Sequence, residues 1–152
     1  MEIKSLEIKL GSYKDVAPLA ELLDEHWIEL AKNKELMVLK PAIEKYAAME
    51  EQGVLFTFCA YVDGKIIGYS LSFVFHHLHY ADLLCCHNDL LFVSIPYRHS
   101  SIGGKLIRAT EDEARKRGVK LMTWHAKENT PLSEVLPVMG CKVQELIFSK
   151  EL

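Results

Sequence analysis

Leu91-Phe92-Val93-Ser94-Ile95-Pro96-Tyr97-Arg98-His99-Ser100-Ser101-Ile102-Gly103-Gly104-Lys105 is the stretch whose reading decides the fold. It begins at the end of a long apolar run, Leu83–Val93, which reads as a central strand buried on both faces. Beyond the loop, Leu106, Ile107, Thr110 and Ala114 recur at helical spacing, while Glu111, Asp112, Glu113, Arg115, Lys116 and Arg117 form the opposite face. Gly118 stands where a helix stops. The first turn of any helix leaves backbone N–H groups without internal partners, and the macrodipole places partial positive charge there. Small residues at Ser100, Ser101, Gly103 and Gly104 let a phosphate approach that backbone, with Arg98 and Lys105 adding charge at its edge. Lys105 and Arg108 sit at a helix end where cations are unfavourable, a balance an anion would change. Two readings stand on this local pattern: a pyrophosphate seat, or a glycine-softened turn with no ligand.

Working outward, Ile3–Lys9 alternates apolar and polar residues as a half-buried strand does. Val16, Leu19, Ala20, Leu22, Leu23, Trp27 and Leu30 predict a helix from about Asp15 to Ala31, capped by Ser12 or Asp15. A second helix starts near Pro41 and ends at Gly53. Val54–Val62 and Lys65–Phe75 flank Asp63-Gly64, a strong hairpin signal. His76–Ala81 reads as a loop or strand end. Val119–Ala126 is a further strand, Thr130 to about Met139 a short helix, and Lys142–Ser149 a last strand. The expected fold class is therefore α/β (α+β), a mixed sheet with helices on both faces, in one domain over residues 1–152.

The chain has 152 residues, 49% hydrophobic and 26% charged, enough for one buried core and too apolar for general disorder. A net charge of -3 argues against direct duplex nucleic-acid binding. No run of about 18 apolar residues could span a bilayer, and the first residues lack a secretory pattern, so a cytoplasmic location is expected. The four cysteines, Cys59, Cys85, Cys86 and Cys141, have no metal-knuckle or redox spacing and read as free buried thiols. His76, His77 and His79, with Cys85, Cys86 and His87 behind them, are metal-ligand residue types. Adjacent strand cysteines point to opposite faces, so the expectation is no metal, the histidines covering the sheet or rimming a pocket. Trp27, Tyr46, Phe73, Phe75, Tyr80 and Trp124 are read mostly as core.

Val93-Ser94-Ile95-Pro96-Tyr97-Arg98-x-x-Ser101-x-Gly103 resembles the acetyl-CoA signature of the GCN5-related N-acetyltransferase (GNAT) superfamily, a strand followed by Arg or Gln, two residues, Gly, one residue and Gly or Ala. Ser101 replaces the first glycine and tolerates fewer backbone conformations. Downstream, Asn129 precedes Gly140-Cys141 by the family's spacing of eleven residues, and the inferred element order matches over almost the whole chain. The resemblance implies a GNAT fold with a mostly antiparallel sheet of about 6–7 strands, the fourth and fifth splayed around acetyl-CoA. It implies an acetyl-CoA-dependent N-acetyltransferase acting on a primary amine of a small molecule or a terminal amine, by direct attack. A non-catalytic acyl-CoA-binding sensor or partner-binding module is the alternative.

By the same resemblance, Leu91, Phe92 and Val93 would meet the pantetheine arm, Arg98, His99, Ser100, Ser101, Ile102, Gly103, Gly104 and Lys105 the pyrophosphate, and Asn129 the arm or its loop. A backbone N–H near Leu91 would polarise the thioester carbonyl. Strand alternation puts His87, Asp89, Leu91 and Val93 on one face; Asp89 or His87 is then the candidate base, with His125 a third. The family's proton-donating Tyr, seven residues after the Asn, is Leu136 here, which cannot donate. Glu21, Asp24, Glu25 and Glu29 are either a solvated helix face or part of a pocket for a cationic acceptor. A homodimer is also expected among the family's assemblies.

Overall fold

The structure is a computed structural model that describes residues 5–12, 15 and 20–152. Ile3, Val16 and Leu19 of the expected first strand and helix lie outside the described residues. The elements are β1 (Leu6–Gly11), α1 (Ala20–Leu30), α2 (Ile43–Glu51), β2 (Leu55–Val62), β3 (Lys65–His76), β4 (Leu84–Val93), α3 (Ile102–Lys116), β5 (Leu121–Trp124) and α4 (Pro131–Val138). A single 3₁₀ turn, Ile95–Tyr97, bridges β4 and α3.

The strands form one five-stranded sheet in the order β1-β2-β3-β4-β5. The first four are antiparallel, and β5 runs parallel to β4 after the α3 crossover. The Asp63-Gly64 turn joins β2 to β3 with both residues at positive φ, 50° and 79°, the paired left-handed geometry that a two-residue hairpin requires.

One sheet face packs on α3: Ala60, Val62, Ile67 and Val93 meet Ile102 and Leu106, and Phe56, Val74 and Cys86 meet Ala114. The other face packs on α1 and α2 through Leu22, Tyr69 and Phe92, with Leu23, Tyr46 and Leu90 around them. The inward stripe of α3 is as its spacing predicts, with Ile102 added. That helix ends with the Val119 N–H on the Ala114 carbonyl, the Gly118 N–H on the Arg115 carbonyl and Gly118 at φ 86°. A side chain at that φ would be strained, so the glycine fixes the exit toward β5.

Two sequence expectations are corrected. Residues 141–152 form no strand, and Val143, Leu146, Ile147 and Phe148 are exposed, so the sheet has five strands rather than six or seven. A strand needs a paired edge, and β5 offers only four residues. Phe75 and Tyr80 are exposed rather than core. The cysteines are free, Cys59, Cys85 and Cys86 buried and Cys141 partly so.

Candidate functional site

The strands β4 and β5 are paired only from Cys85–Leu121 to Asn88–Trp124, after which a single bond, His125 N–H to the Asn88 carbonyl, closes the ladder. Beyond it β4 continues to Val93 with β3 on one edge and no β5 residue opposite the other. The two strands part there, leaving an open crevice along Asp89–Val93.

Asn88, fully buried at the parting point, directs its amide nitrogen toward Ser70 Oγ at 2.9 Å, Leu71 O at 3.1 Å and Ser72 Oγ at 3.0 Å. Ser70 in turn meets Thr110 of α3 at 2.8 Å. Buried polar groups linked in this way hold one geometry. The network ties β3, β4 and α3 together where β5 leaves.

The register of β3 against β4 also slips at this point. Leu71 faces Leu90 and Ser72 faces Asn88, so Asp89 is an extra, unpaired residue, a β-bulge. The bulge overturns the expected alternation: Leu91 and Val93 pack in the α3 layer, whereas Leu90 and Phe92 pack toward α1 and α2. His87 and Asp89 therefore do not share a face with Leu91 and Val93.

The crevice leads to the start of α3. The first intrahelical bond there is Lys105 N–H to Ser101 O, and among the described residues the N–H groups of Ser101, Ile102, Gly103 and Gly104 have no partner. A Cβ added at Gly103 would meet nothing within 4 Å, and one at Gly104 only Arg108 Nη1 at 3.8 Å. These amides and the space beside them fit a diphosphate. Ile102 offers only its backbone, since its side chain is fully buried.

Arg98 behaves differently from the expectation. Its Nε donates to Val93 O at 2.8 Å, its two terminal nitrogens bind Glu29 at 2.7 and 2.6 Å, and its guanidinium lies 5.1 Å from the Phe92 ring centre. The pairing holds the Glu29 carboxyl below its ordinary range. His99 and Lys105 are exposed beside the loop, and Ser100 Oγ donates to Tyr97 O. Asn129 sits at φ 60° in the turn before α4, a conformation asparagine tolerates better than most residues.

At the other end of the crevice the three candidate bases come together. His87 Nε2 lies 2.9 Å from His125 Nδ1, and His87 Nδ1 lies 2.8 Å from Thr123 Oγ1. The ligand atoms of His87, Asp89 and His125 all fall within 4.8 Å of one another. Burial, then His125, push the His87 pKa down against the opposing pull of Asp89. The chain Thr123–His87–His125 thus has a neutral imidazole at its centre, an arrangement able to carry a proton by exchange of tautomers. His76, His77 and His79 are not part of it; His76 contacts Ala81 O, and His77 Nδ1 accepts from the His79 N–H.

Between the sheet and α1–α2 lies a cavity of about 290 Å³ lined by Leu23, Trp27, Tyr46, Tyr69, Leu71 and Leu90, with Met37–Pro41 at its mouth and Thr57 in its wall. The Trp27 indole N–H donates to Met37 O at 2.6 Å, holding the mouth segment. Of the four acidic residues on α1, none lines the cavity: Glu25 accepts from Ser94 Oγ, Glu29 holds Arg98, and Glu21 and Asp24 are exposed.

His26 and Tyr69 were not singled out by sequence. His26 Nδ1 lies 2.5 Å from the Tyr69 hydroxyl, and its ring stacks on Phe92 at 4.6 Å and 15°. Burial above all, then Lys127, lowers the His26 pKa to about 4. The available signal was spacing: His26 follows Leu22 and precedes Leu30 by one helical repeat, on the apolar face.

The sheet thus opens after Asn88 toward a helix start whose first amides have no partner among the described residues. The sequence model of the Acetyltransferase (GNAT) family matches residues 18–135, and the chain belongs to that family. No curated protein sequence matches it. Among solved structures, an aminoglycoside acetyltransferase from an uncultured soil metagenomic sample, in complex with trehalose, superposes with a TM-score of 0.78 at 20% identity, covering 99% of each chain. A ribosomal-protein-alanine N-acetyltransferase from Brucella melitensis biovar Abortus gives 0.74 at 17% identity, over 97% of this chain and 99% of that one. These likenesses establish the shared fold. Among the described residues no helix is long and apolar enough to cross a membrane.

Proposed function

We propose that the protein transfers an acetyl group from acetyl-CoA to a primary amine by direct attack. The observation that carries this reading is the parting of β4 and β5 after Asn88, directly before the unpartnered amides at Ser101–Gly104. Those amides seat the pyrophosphate, and the open edge of Asp89–Val93 takes the pantetheine arm. Acetyl-CoA supplies an acyl thioester.

His87, its pKa lowered so that it is neutral near pH 7, accepts with His125 the proton the amine loses, and Asp89 orients the charged amine before it is deprotonated. A C–N bond forms as the C–S bond breaks, and the histidine pair returns the proton to the departing sulfur. Calorimetry with acetyl-CoA, followed by thiol release against an amine panel, tests this. Saturable binding and amine-dependent thiol release are expected; absence of both overturns it.

A second reading, an acyl-CoA-binding module without turnover, is favoured by one observation. Leu136, buried in α4, stands where the resemblance places a tyrosine, so α4 offers no hydroxyl there. Tight acetyl-CoA binding with no thiol release for any amine would establish that reading. The exposed apolar side chains of residues 141–152 are the surface on which a homodimer would form. Light scattering on Phe148→Asp, expected to be monomeric, tests that assembly against the parent chain. The protein is taken to work in the cytoplasm, where acetyl-CoA is supplied.

A further inference from the structure

The cavity beside β4 is unlike a polycation site. Its walls are Leu23, Trp27, Tyr46, Tyr69, Leu71 and Leu90, and the charged side chain that reaches it is a cation, Lys40. At the mouth, Met37, Val38 and Leu39 are 55%, 72% and 36% exposed, apolar surface held open to water around the entrance. Apolar side chains so placed gain by covering an apolar ligand. A ligand with several ammonium groups would meet Lys40 and, among the described residues, no carboxylate in the lining.

Thr57 adds an independent constraint. Its Oγ1 is fully buried in the cavity wall and has no hydrogen-bond partner among the described residues. A hydroxyl in that state calls for a partner from whatever fills the cavity. Its distance from the reacting end follows from register: Thr57 faces Leu71, and Leu71 faces Leu90, the neighbour of Asp89. Two interstrand steps put Thr57 about 10 Å from that point on β4.

From these observations we infer that the acceptor is a monoamine on an apolar, ring-sized body with one hydrogen-bonding group at the end far from the nitrogen, its two ends bridging the separation between Thr57 and β4 through hydrogen bonds to the side chains there. The inference rests on the acetyl-transfer reading for where the amine points. The body lies between α1–α2 and the sheet, its far polar group bonds Thr57, and its nitrogen reaches Asp89 and the histidine pair. In the transfer, nitrogen bonds the acetyl carbon of acetyl-CoA, the C–S bond breaks, and the proton from nitrogen goes to the thiolate.

Tyramine has this form; phenylethylamine lacks its far hydroxyl, and spermidine is a polycation without the body. The test compares their kcat/KM for thiol release and, separately, their binding by calorimetry in the presence of CoA. Tyramine is expected to exceed phenylethylamine by roughly tenfold, the effect of one buried hydrogen bond, and spermidine by more. Thr57→Val, which keeps the shape, should remove the advantage of tyramine over phenylethylamine. Met37→Glu, at an exposed position, should weaken both aromatic amines and leave spermidine no worse. Preference for spermidine, or an undiminished tyramine advantage in Thr57→Val, overturns the inference. Saturable tyramine binding that Thr57→Val weakens, without thiol release, upholds the cavity's chemistry while overturning acetyl transfer; no tyramine binding alongside turnover of other amines does the reverse.

Discussion

Glu29 of α1 holds both terminal nitrogens of Arg98, at 2.7 and 2.6 Å, so the arginine of the loop before α3 is bound to a helix across the crevice. The pair is only partly exposed, 25% and 28% at the two side chains. On the proposed function, an incoming pyrophosphate would compete with a carboxylate for that guanidinium.

Glu29→Gln should therefore tighten acetyl-CoA binding. Loss of the competing charge is worth up to about 1 kcal/mol after solvent screening, a few-fold in Kd. Calorimetry at low and moderate salt reads it; weaker binding in the variant would mean the pair instead preorganises the loop.

The pH dependence of kcat/KM should report His87. Its lowered pKa keeps it neutral to below pH 6.5, so the acid limb should fall below that value. His125 lowers and Asp89 raises this pKa. Asp89→Asn should move the limb to still lower pH, and His125→Ala should move it upward. Shifts in the same direction would contradict the cluster as described.

Stability should also respond to pH through His26, which faces Lys127, Glu29 and Arg98 as well as Tyr69. Its folded pKa of about 4 lies under the ordinary 6.5, so between those values the unfolded chain binds more protons. Stability is full above pH 6.5 and declines as pH falls toward 4, by at most about 1.4 kcal/mol per pH unit from this group. Denaturant melts of His26→Gln over that window should show a flatter decline than the parent.

Gly68 should resist substitution. A Cβ there would stand 2.9 Å from Phe92 O, with Val93 Cγ2 at 3.3 Å and Leu106 Cδ1 at 3.4 Å. Gly68→Ala must push β3 from the end of β4, a cost of about 1–3 kcal/mol, or roughly 2–4 °C in Tm per kcal/mol. Because the crowded carbonyl belongs to the crevice strand, acetyl-CoA affinity should fall with it; a Tm unchanged within error would refute the packing described.

Much of the fold was legible because local chemistry marks its ends. Asp63-Gly64 declared the hairpin and Gly118 the end of α3, and Thr130, where the last helix was expected to begin, is its N-cap in the structure, completed by Ser133 as a capping box. The three candidate bases were legible as residue types near strand ends. They were also expected in one cleft, His87 and Asp89 by strand alternation and His125 by the regular course of β5, and their ligand atoms lie within 4.8 Å of one another; the separate face of Leu91 and Val93 was not legible, because it depends on the Asp89 bulge. Lys142–Ser149 read as a strand on β-formers alone, although strands exist only against a neighbour. The cavity and the His26–Tyr69 contact arise from helix-on-sheet packing between distant segments.

An inserted residue in a strand acts as a change of phase. Up to Asn88, even-numbered positions of β4 look toward α3; from Leu91 on, odd-numbered ones do. A chimera grafting a relative's β4 onto this chain must be joined with the same count on both sides of Asp89. Miscounted by one, the graft would trade the crevice floor for the cavity wall along every residue that follows.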